Sequence, residues 1–211
     1  RQADKQAVAE KFAKGSRRDL GQALANGGLG AILAVVYVRY PEPLLFAAFV
    51  GAMSTVNADT WATEVGVLSR VPPRLITSGN PVPPGTSGSV TRLGMWASVT
   101  GALLIGAMAT ALMQVQSLVS GHGWSSEVLY YPFLAIIGGL SGSLLDSFLG
   151  ATVQGIYFCG QCDKETESPV HRCGQRTLLV RGQRWMNNDL VNFLASLLGA
   201  LTSASVAWIL G

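Results

Sequence analysis

Two carboxylates, an amide and two hydroxyls lie within a single ten-residue stretch, Asn57–Gly66. Asp59 and Glu64 are the carboxylates, and the stretch follows the apolar run Leu44–Val56 without a turn signal between them. It therefore lies inside, or at the mouth of, a predicted membrane-spanning helix, where acidic side chains are costly and usually functional. Carboxylate oxygens are preferred ligands of Mg²⁺, so this stretch predicts one wall of a magnesium site.

Two more acids, Asp146 and Asp189, stand near the ends of later apolar segments. Asp189 lies between Asn188 and Asn192, which are one helical turn apart. If these helices share an orientation, four acids from three helices reach the same depth, and we expect a divalent cation site there. The alternatives are an acid paired with an Arg of another helix, or Asn and Asp side chains that cap a helix.

The loop at residues 69–92 follows the first two acids and is rich in Pro, Gly, Ser and Thr. Glycines let backbone N–H groups approach an anion, and hydroxyls and Arg side chains add donors. It is not a Walker A loop, because no Gly-Lys-Ser/Thr is present. A phosphate-binding loop is therefore one interpretation, and a flexible surface linker is the other. The candidate phosphate-binding residues are Arg74, Thr77, Gly85, Thr86, Ser87, Gly88, Ser89 and Arg92.

Five further polar side chains are candidates for binding a substrate, and two of them are Asn188 and Asn192, beside Asp189. Arg18 stands at the edge of the first apolar segment, where it either anchors the membrane boundary or clamps a phosphate group with its planar fork. Asn26 and Asn57 are candidate substrate-binding amides. The glycines beside Asn26 also suit close helix packing with an interhelical hydrogen bond.

All three cysteines fall within one short segment together with a histidine. Cys159, Cys162, His171 and Cys173 form the pattern C-x2-C-x8-H-x-C, which supplies four ligands for a tetrahedral Zn²⁺ ion. A closed four-ligand site is structural and would pin the loop at residues 155–186. A redox CxxC motif is the alternative, although its usual βαβ context is missing.

The elements that position these residues are predicted membrane spans. The 211-residue chain is 49% hydrophobic and only 13% charged, whereas soluble domains have about 25% charged residues. The composition predicts an all-α, polytopic membrane helix bundle, with a basic amphipathic segment at 1–19, a membrane domain at 20–211 and a small zinc-knuckle loop. The expected spans are about Leu20–Tyr40, Leu44–Leu68, Leu93–Val119, Val128–Gln154 and Asp189–Leu210.

The distribution of basic residues predicts the orientation of these spans. All of the 15 Lys and Arg residues except Arg39 fall in segments 1–19, 69–92 and 155–188, which alternate with loops on the other side. The positive-inside rule therefore places the N-terminus and the Cys/His loop in the cytoplasm. No signal peptide is visible, and because the sequence starts with Arg1 we expect it to lack an N-terminal part.

Four motifs together resemble a known family. Asn57–Gly66, Pro83–Thr91, Arg18–Gly28 and Asn187–Asn192 are similar to segments of the family that includes animal transmembrane protein 19 and plant phytyl-phosphate kinase. The resemblance implies a membrane kinase that converts a prenyl (phytyl) monophosphate into the diphosphate, with CTP as the nucleotide donor. It also implies further spans before residue 1, and it does not require the Cys/His loop.

The resemblance also implies roles for the candidate residues. Asp59 and Glu64 would hold Mg²⁺, and Asp146 and Asp189 would be further ligands or would hold water molecules. The loop hydroxyls and glycines would cradle phosphate, and three Arg side chains would neutralise the charge of the transition state: Arg18, Arg74 and Arg92. We expect a prenyl phosphate, a nucleoside triphosphate and the membrane as partners, and no nucleic acid. The oligomeric state is left open.

Two other classes of function compete with this interpretation. A transporter or ion exchanger also places acids inside the membrane, but it predicts internal repeats, and the sequence shows no convincing ones. A protein that binds prenyl lipids without catalysis is the second rival, and it does not require Asp59.

Overall fold

The computed structural model describes residues 20–210. The segment 1–19, which includes Arg18, lies outside the described residues. Five long helices fall on the five predicted segments and confirm the predicted helical bundle: α1 (Leu20–Arg39), α2 (Pro43–Gly66), α3 (Arg92–Val119), α4 (Tyr131–Thr152) and α5 (Asn188–Leu210). A short 3-10 helix, Glu127–Tyr130, leads directly into α4.

Four of these helices, α1, α3, α4 and α5, are long and apolar enough to cross a membrane within the described part of the chain. The second predicted span is present as α2, which has 24 residues. It falls short of the required apolarity because its second half carries the polar stretch that begins at Asn57. Helix α2 contacts all four other helices, so its neighbours shield much of this polar helix from lipid.

Small side chains allow α2, α4 and α5 to approach one another closely. A Cβ atom added at Gly142 of α4 would lie 2.7 Å from the Ala195 carbonyl oxygen of α5. The Thr55 hydroxyl of α2 donates to the carbonyl oxygens of Gly51 and Gly138, at 3.0 and 3.2 Å. Small residues at such crossings let backbones meet and replace bulky packing in membrane helices.

The two ends of α2 lie in different surroundings. Its first half packs into an apolar cluster with Val50, Tyr131 and Leu134 at the core, and the ring of Phe46 stacks edge-on against Tyr131. Its second half carries the polar residues. This division leaves one end of the bundle available for a polar site.

The outer surface of the bundle is strongly apolar. Val35, Val38 and Trp208 are 72%, 85% and 73% exposed. Exposed apolar side chains along helices that are long enough to cross a bilayer are expected on a surface that contacts lipid.

Two small antiparallel sheets occupy segments that the sequence predicted as loops. Strands β1 (Arg74–Leu75) and β2 (Ser89–Val90) pair within the 69–92 loop. The Cys/His segment contains β3 (Ile156–Cys159), β4 (Lys164–Thr166) and β5 (Leu178–Arg181), with β3 in the centre. Strands of two to four residues are too short to produce a recognisable alternation in a sequence.

Candidate functional site

A cavity of about 340 Å³ lies at the polar end of α2, between α3, α4 and the 69–92 loop. Its walls combine carboxyl, hydroxyl and amide groups with apolar side chains. The polar wall residues include Asp59, Thr63, Ser69, Arg70, Thr86, Ser87, Ser89, Thr91, Ser98, Ser143, Asp146, Ser147, Gln154, Glu167 and Asn188. The structure therefore brings Asp59 of α2 and Asp146 of α4 together with the predicted phosphate-binding loop.

Asp59 and Asp146 face this cavity from two different helices. The Ser143 hydroxyl of α4 lies close to the Asp59 carboxyl group and 3.4 Å from the Ser98 hydroxyl of α3. One carboxylate oxygen of Asp146, Oδ2, is buried and has no hydrogen-bond partner among the described residues. A buried acceptor without a partner is costly in a folded protein, and a bound cation or donor would satisfy it.

The other two predicted acids lie outside the cavity wall within the described chain. Glu64 is exposed in the last turns of α2, because it is five residues from Asp59 and thus about 140° away around the helix. Asp189 is in the first turn of α5, while its neighbour Asn188 does line the cavity. The magnesium roles of Glu64 and Asp189 stay predictions.

Glu167 is a third carboxyl group of the cavity that sequence reasoning missed. It follows β4 in the Cys/His segment, more than one hundred residues after Asp59. The sequence predicts this segment only as a metal-binding loop, and no periodic pattern links it to the helices. Among the described residues, the cavity acids are not a set of three with ligand atoms close enough for one metal ion, whereas the Cys/His residues are.

Residues of the predicted phosphate-binding loop form one side of the cavity: Gly85, Thr86, Ser87, Gly88 and Ser89. The Thr86 hydroxyl donates to the Pro83 carbonyl oxygen at 2.8 Å, so it stabilises the loop. Gly88 has φ of +78°, and a Cβ atom at this position would overlap Ala151 at the end of α4. Glycine is thus required here twice, for backbone conformation and for close packing.

The remaining predicted binding residues have other surroundings. The Arg74 guanidinium donates to the Gly79 carbonyl oxygen at 2.7 Å, and the Asn57 amide donates to the Gly101 carbonyl oxygen of α3, also at 2.7 Å. These contacts stabilise a turn and a helix crossing. Five further candidates are distributed over α1, the loop, α3 and α5 outside the cavity wall, or beyond the described residues: Asn26, Thr77, Arg92, Asn192 and Arg18.

Gln154 and Arg181 are further residues of this region that the sequence did not single out. The Ser87 hydroxyl donates to the Gln154 Oε1 atom at 3.1 Å. The Arg181 guanidinium donates to the carbonyl oxygens of Ala151, Gly150 and Ser87 at 3.0, 3.1 and 3.4 Å. Arg181 therefore provides hydrogen-bond donors for the last carbonyl groups of α4 and connects this helix end to the 69–92 loop. The only sequence signal for Arg181 is the excess of Lys and Arg in this segment, and that excess indicates membrane orientation rather than a binding role.

The four Cys/His residues do come together in the structure. Their ligand atoms all lie within 4.8 Å of one another, so the group can hold a metal ion. The sulfur atoms of Cys159 and Cys173 are 3.7 Å apart, close to the edge of about 3.8 Å that a Zn–S tetrahedron with bonds of about 2.3 Å requires. None of the three cysteines forms a disulfide, as a metal-binding interpretation needs.

Two tight turns present these ligands. Cys159 ends β3 and Cys162 follows in the turn to β4, while His171 and Cys173 flank a second turn closed by Gly174, with φ of +84°. The Cys162 backbone N–H donates to the Cys159 sulfur and thereby lowers the pKa of the Cys159 thiol. A hydrogen bond with the Cys173 sulfur raises the pKa of Cys162 to about 11.

The helices and the cavity define a polytopic helical integral membrane protein with a polar site at one end of the bundle. The chain belongs to the family described as integral membrane protein DUF92, whose model matches residues 1–200. This match confirms the predicted membership in a family of integral membrane proteins.

Two relatives are similar over large parts of the sequence. Protein PGR of Arabidopsis thaliana is 31% identical over 220 residues, which cover 97% of this chain and 75% of the relative. The uncharacterized membrane protein MJ0933 of Methanocaldococcus jannaschii is 31% identical over 135 residues, which cover 64% of this chain and 50% of the relative. No solved structure matches the chain significantly.

Proposed function

We propose that the protein is a membrane kinase that transfers the γ-phosphoryl group of a nucleoside triphosphate, CTP by resemblance, to a prenyl monophosphate. The observation that carries this proposal is the meeting of Asp59 and Asp146 with the glycine- and hydroxyl-rich loop in one cavity. This cavity lies at the end of a bundle whose outer surface is apolar. A prenyl chain can occupy the apolar surface while its phosphate reaches the polar end.

The reaction needs no external base. An oxygen of the prenyl monophosphate is already anionic and attacks the γ-phosphorus of the nucleotide. A new P–O bond forms, the bond from the γ-phosphorus to the β–γ bridging oxygen breaks, and the nucleoside diphosphate leaves. Such transfers depend mainly on positioning and charge neutralisation.

Electrostatics of the cavity favour a cation-dependent reaction. Among residues 20–210, the wall carries three carboxyl groups, Asp59, Asp146 and Glu167, and one guanidinium group, Arg70. Ionised carboxylates repel phosphate, so the anionic substrates require compensating positive charge. Mg²⁺ would supply that charge when bound, with Asp59 and Asp146 as its proposed protein ligands and water or phosphate oxygens completing its shell. The backbone of the 85–89 loop and Arg70 would hold the phosphates.

The Cys/His group has a separate role in this proposal. Its four-residue ligand set and its 3.7 Å sulfur separation suit a structural Zn²⁺ ion rather than a catalytic one, since no ligand position is left open. The distribution of Lys and Arg supports a cytoplasmic location for the N-terminus, the 69–92 loop and this group.

A transfer assay tests the proposal. The protein, purified in detergent with Mg²⁺, is incubated with γ-labelled CTP, ATP or GTP and with phytyl, geranylgeranyl or longer prenyl monophosphates. We expect labelled prenyl diphosphate from at least one pair, and no product when Mg²⁺ is removed. If no pair gives a product while phosphate-driven or ion-driven flux occurs in proteoliposomes, the transporter interpretation replaces the kinase.

A further inference from the structure

Gln154 is a buried amide in the wall of the cavity, with only 2% of the residue exposed. It lies two residues beyond the end of α4, and its backbone N–H donates to the Leu149 carbonyl oxygen in the last turns of that helix at 3.0 Å. Gln154 also forms an isolated parallel β-bridge with Gln183, two residues after β5. These two backbone contacts, with Leu149 and Gln183, hold the Gln154 backbone in place.

The oxygen and the nitrogen of the Gln154 amide have different surroundings. Its Oε1 atom accepts the Ser87 hydroxyl at 3.1 Å. Its Nε2 atom is buried and has no hydrogen-bond partner among residues 20–210. With the Ser87 hydroxyl bonded to the amide oxygen, the N–H₂ end is left without a partner in the described part of the chain.

An N–H₂ group selects the chemistry of its partner. It offers two donors and no acceptor, and buried donors in native proteins almost always have partners. The surrounding loop supplies glycines at positions 85 and 88 and further hydroxyls. A phosphate oxygen, which only accepts hydrogen bonds at neutral pH when ionised, matches this donor.

Among residues 20–210, one other buried polar atom of the cavity wall has no hydrogen-bond partner, and its chemistry is complementary to the Gln154 donor. Asp146 Oδ2 is an acceptor and cannot bind a phosphate oxygen directly, but it can bind a cation. The cavity thus offers a donor for phosphate on the Gln154 side and an acceptor for a cation on the Asp146 side. A cation–phosphate pair satisfies both atoms together.

We propose that Gln154 Nε2 donates a hydrogen bond to a phosphate oxygen of the ligand in this cavity, with Ser87 as the positioning residue that orients the amide. The inference rests on the proposed function for the identity of the phosphate-bearing substrates. Its chemistry requires only a phosphate or diphosphate group.

Binding measurements on the full chain in detergent test this role. The probes are CTP, phytyl monophosphate and inorganic pyrophosphate, each with Mg²⁺, and phytol serves as the phosphate-free lipid. Gln154→Glu keeps the size of the side chain but replaces the donor with a carboxylate. Gln183→Glu is the matched control, because Gln183 is exposed on the adjoining segment and lies outside the cavity wall.

We expect Gln154→Glu to weaken binding of at least one phosphate probe by about 10- to 100-fold, with phytol binding unchanged and Gln183→Glu like the wild type. Ser87→Ala should weaken the same probe by a few-fold, because the amide loses its orientation. This second variant carries the test if Gln154→Glu does not fold, as judged by its elution profile and melting temperature.

The outcomes separate the two proposals. Unchanged phosphate binding in Gln154→Glu and Ser87→Ala overturns the role of Gln154 and leaves the kinase proposal standing. Gln154-dependent binding of pyrophosphate without any phosphoryl transfer overturns the kinase and keeps the phosphate site. Absence of binding of all three phosphate probes to the wild type overturns both.

Discussion

At the scale of single residues, the decisive feature is which face of α2 meets the cavity. Asp59, Thr63 and Gly66 line it, and their spacing of four and three residues keeps them on one side of a helix. Asn57 lies on another side and bonds to α3, and Glu64 is exposed. The polar stretch therefore presents one face to the cavity, one to α3 and one to the surface.

Substitution of the two cavity acids tests this division. Asp59→Asn and Asp146→Asn should each reduce phosphoryl transfer by roughly 100-fold or more. Each substitution removes a negative charge that would hold Mg²⁺ next to the reacting phosphates. Initial rates at several Mg²⁺ concentrations measure the effect. Glu127→Gln, in the 3-10 helix before α4, is the control and should retain full activity.

Glu64→Gln distinguishes the structural interpretation from the sequence-based one. Since Glu64 lies outside the cavity wall of the described chain, we expect this variant to keep most of its transfer rate. A loss as large as that of Asp59→Asn would show that Glu64 acts at the magnesium site, as the sequence predicted.

Gly88 gives a prediction about stability. Gly88→Ala combines a left-handed backbone with overlap against Ala151. Gly121 has nearly the same φ, +77°, but no atom within 4 Å of an added Cβ, so Gly121→Ala carries only the backbone strain of about 1–2 kcal/mol. Thermal unfolding in detergent should therefore show a larger drop in melting temperature for Gly88→Ala. Equal drops would mean that the loop moves away from α4 without cost.

At the scale of elements, the Cys/His segment is connected to the cavity. Glu167 follows β4 and lines the cavity, and Arg181 at the end of β5 bonds to Gly150 and Ser87. The small sheet therefore positions groups on both the acid side and the loop side of the cavity. A metal ion that holds the two turns of this segment would help to keep these groups in place.

Metal removal provides the test at this scale. Metal binding requires thiolates, so it displaces protons from cysteine thiols at neutral pH. The amount of bound metal should therefore fall as pH is lowered, and the melting temperature should fall with it. Metal analysis after dialysis at several pH values, with parallel melting curves, measures both.

The two histidines of the chain supply the matched variants for this experiment. His171→Ala should lose the bound metal and melt at a lower temperature, because His171 belongs to the ligand group. His122→Ala, in the exposed turn after α3, should keep both. Equal metal content in the two variants would contradict the proposed ligand set.

At the scale of the whole molecule, the bundle combines an apolar exterior with a polar cavity at one end. Four helices are long and apolar enough to cross a membrane among residues 20–210, and the more polar α2 contacts all of them. Because α2 is surrounded by the other helices, its polar residues are shielded from the lipid, where they would be energetically costly.

The orientation of the bundle can be measured with cysteine labelling in intact cells. We expect a cysteine placed at His122 to react with a membrane-impermeant maleimide, because the 120–127 loop lies outside if the positive-inside rule holds. A cysteine at the exposed Asn80 should react only after the cells are permeabilised. The reverse pattern would place the cavity on the outer side, where CTP is not supplied.

The sequence by itself determined the features that depend on composition and local spacing. Long apolar runs with few charges require helices in a membrane, and the spacing of Cys159 and Cys162, and of His171 and Cys173, requires two close ligand pairs once the turns form. The glycines of the 85–89 loop likewise predict a backbone conformation that other residues rarely adopt, and Gly85 and Gly88 do have positive φ angles.

Only the tertiary structure decided which residues share the cavity. The rotation of α2 about its axis is fixed by small-residue contacts with α4 and α5, such as Thr55 against Gly138, and no local pattern encodes it. Glu167 and Gln154 reach the cavity because the Cys/His sheet folds back onto the end of α4, through contacts such as the Arg181 guanidinium with the Ala151 carbonyl oxygen. Helix periodicity indicates which residues share a face, but packing between distant segments determines what that face meets.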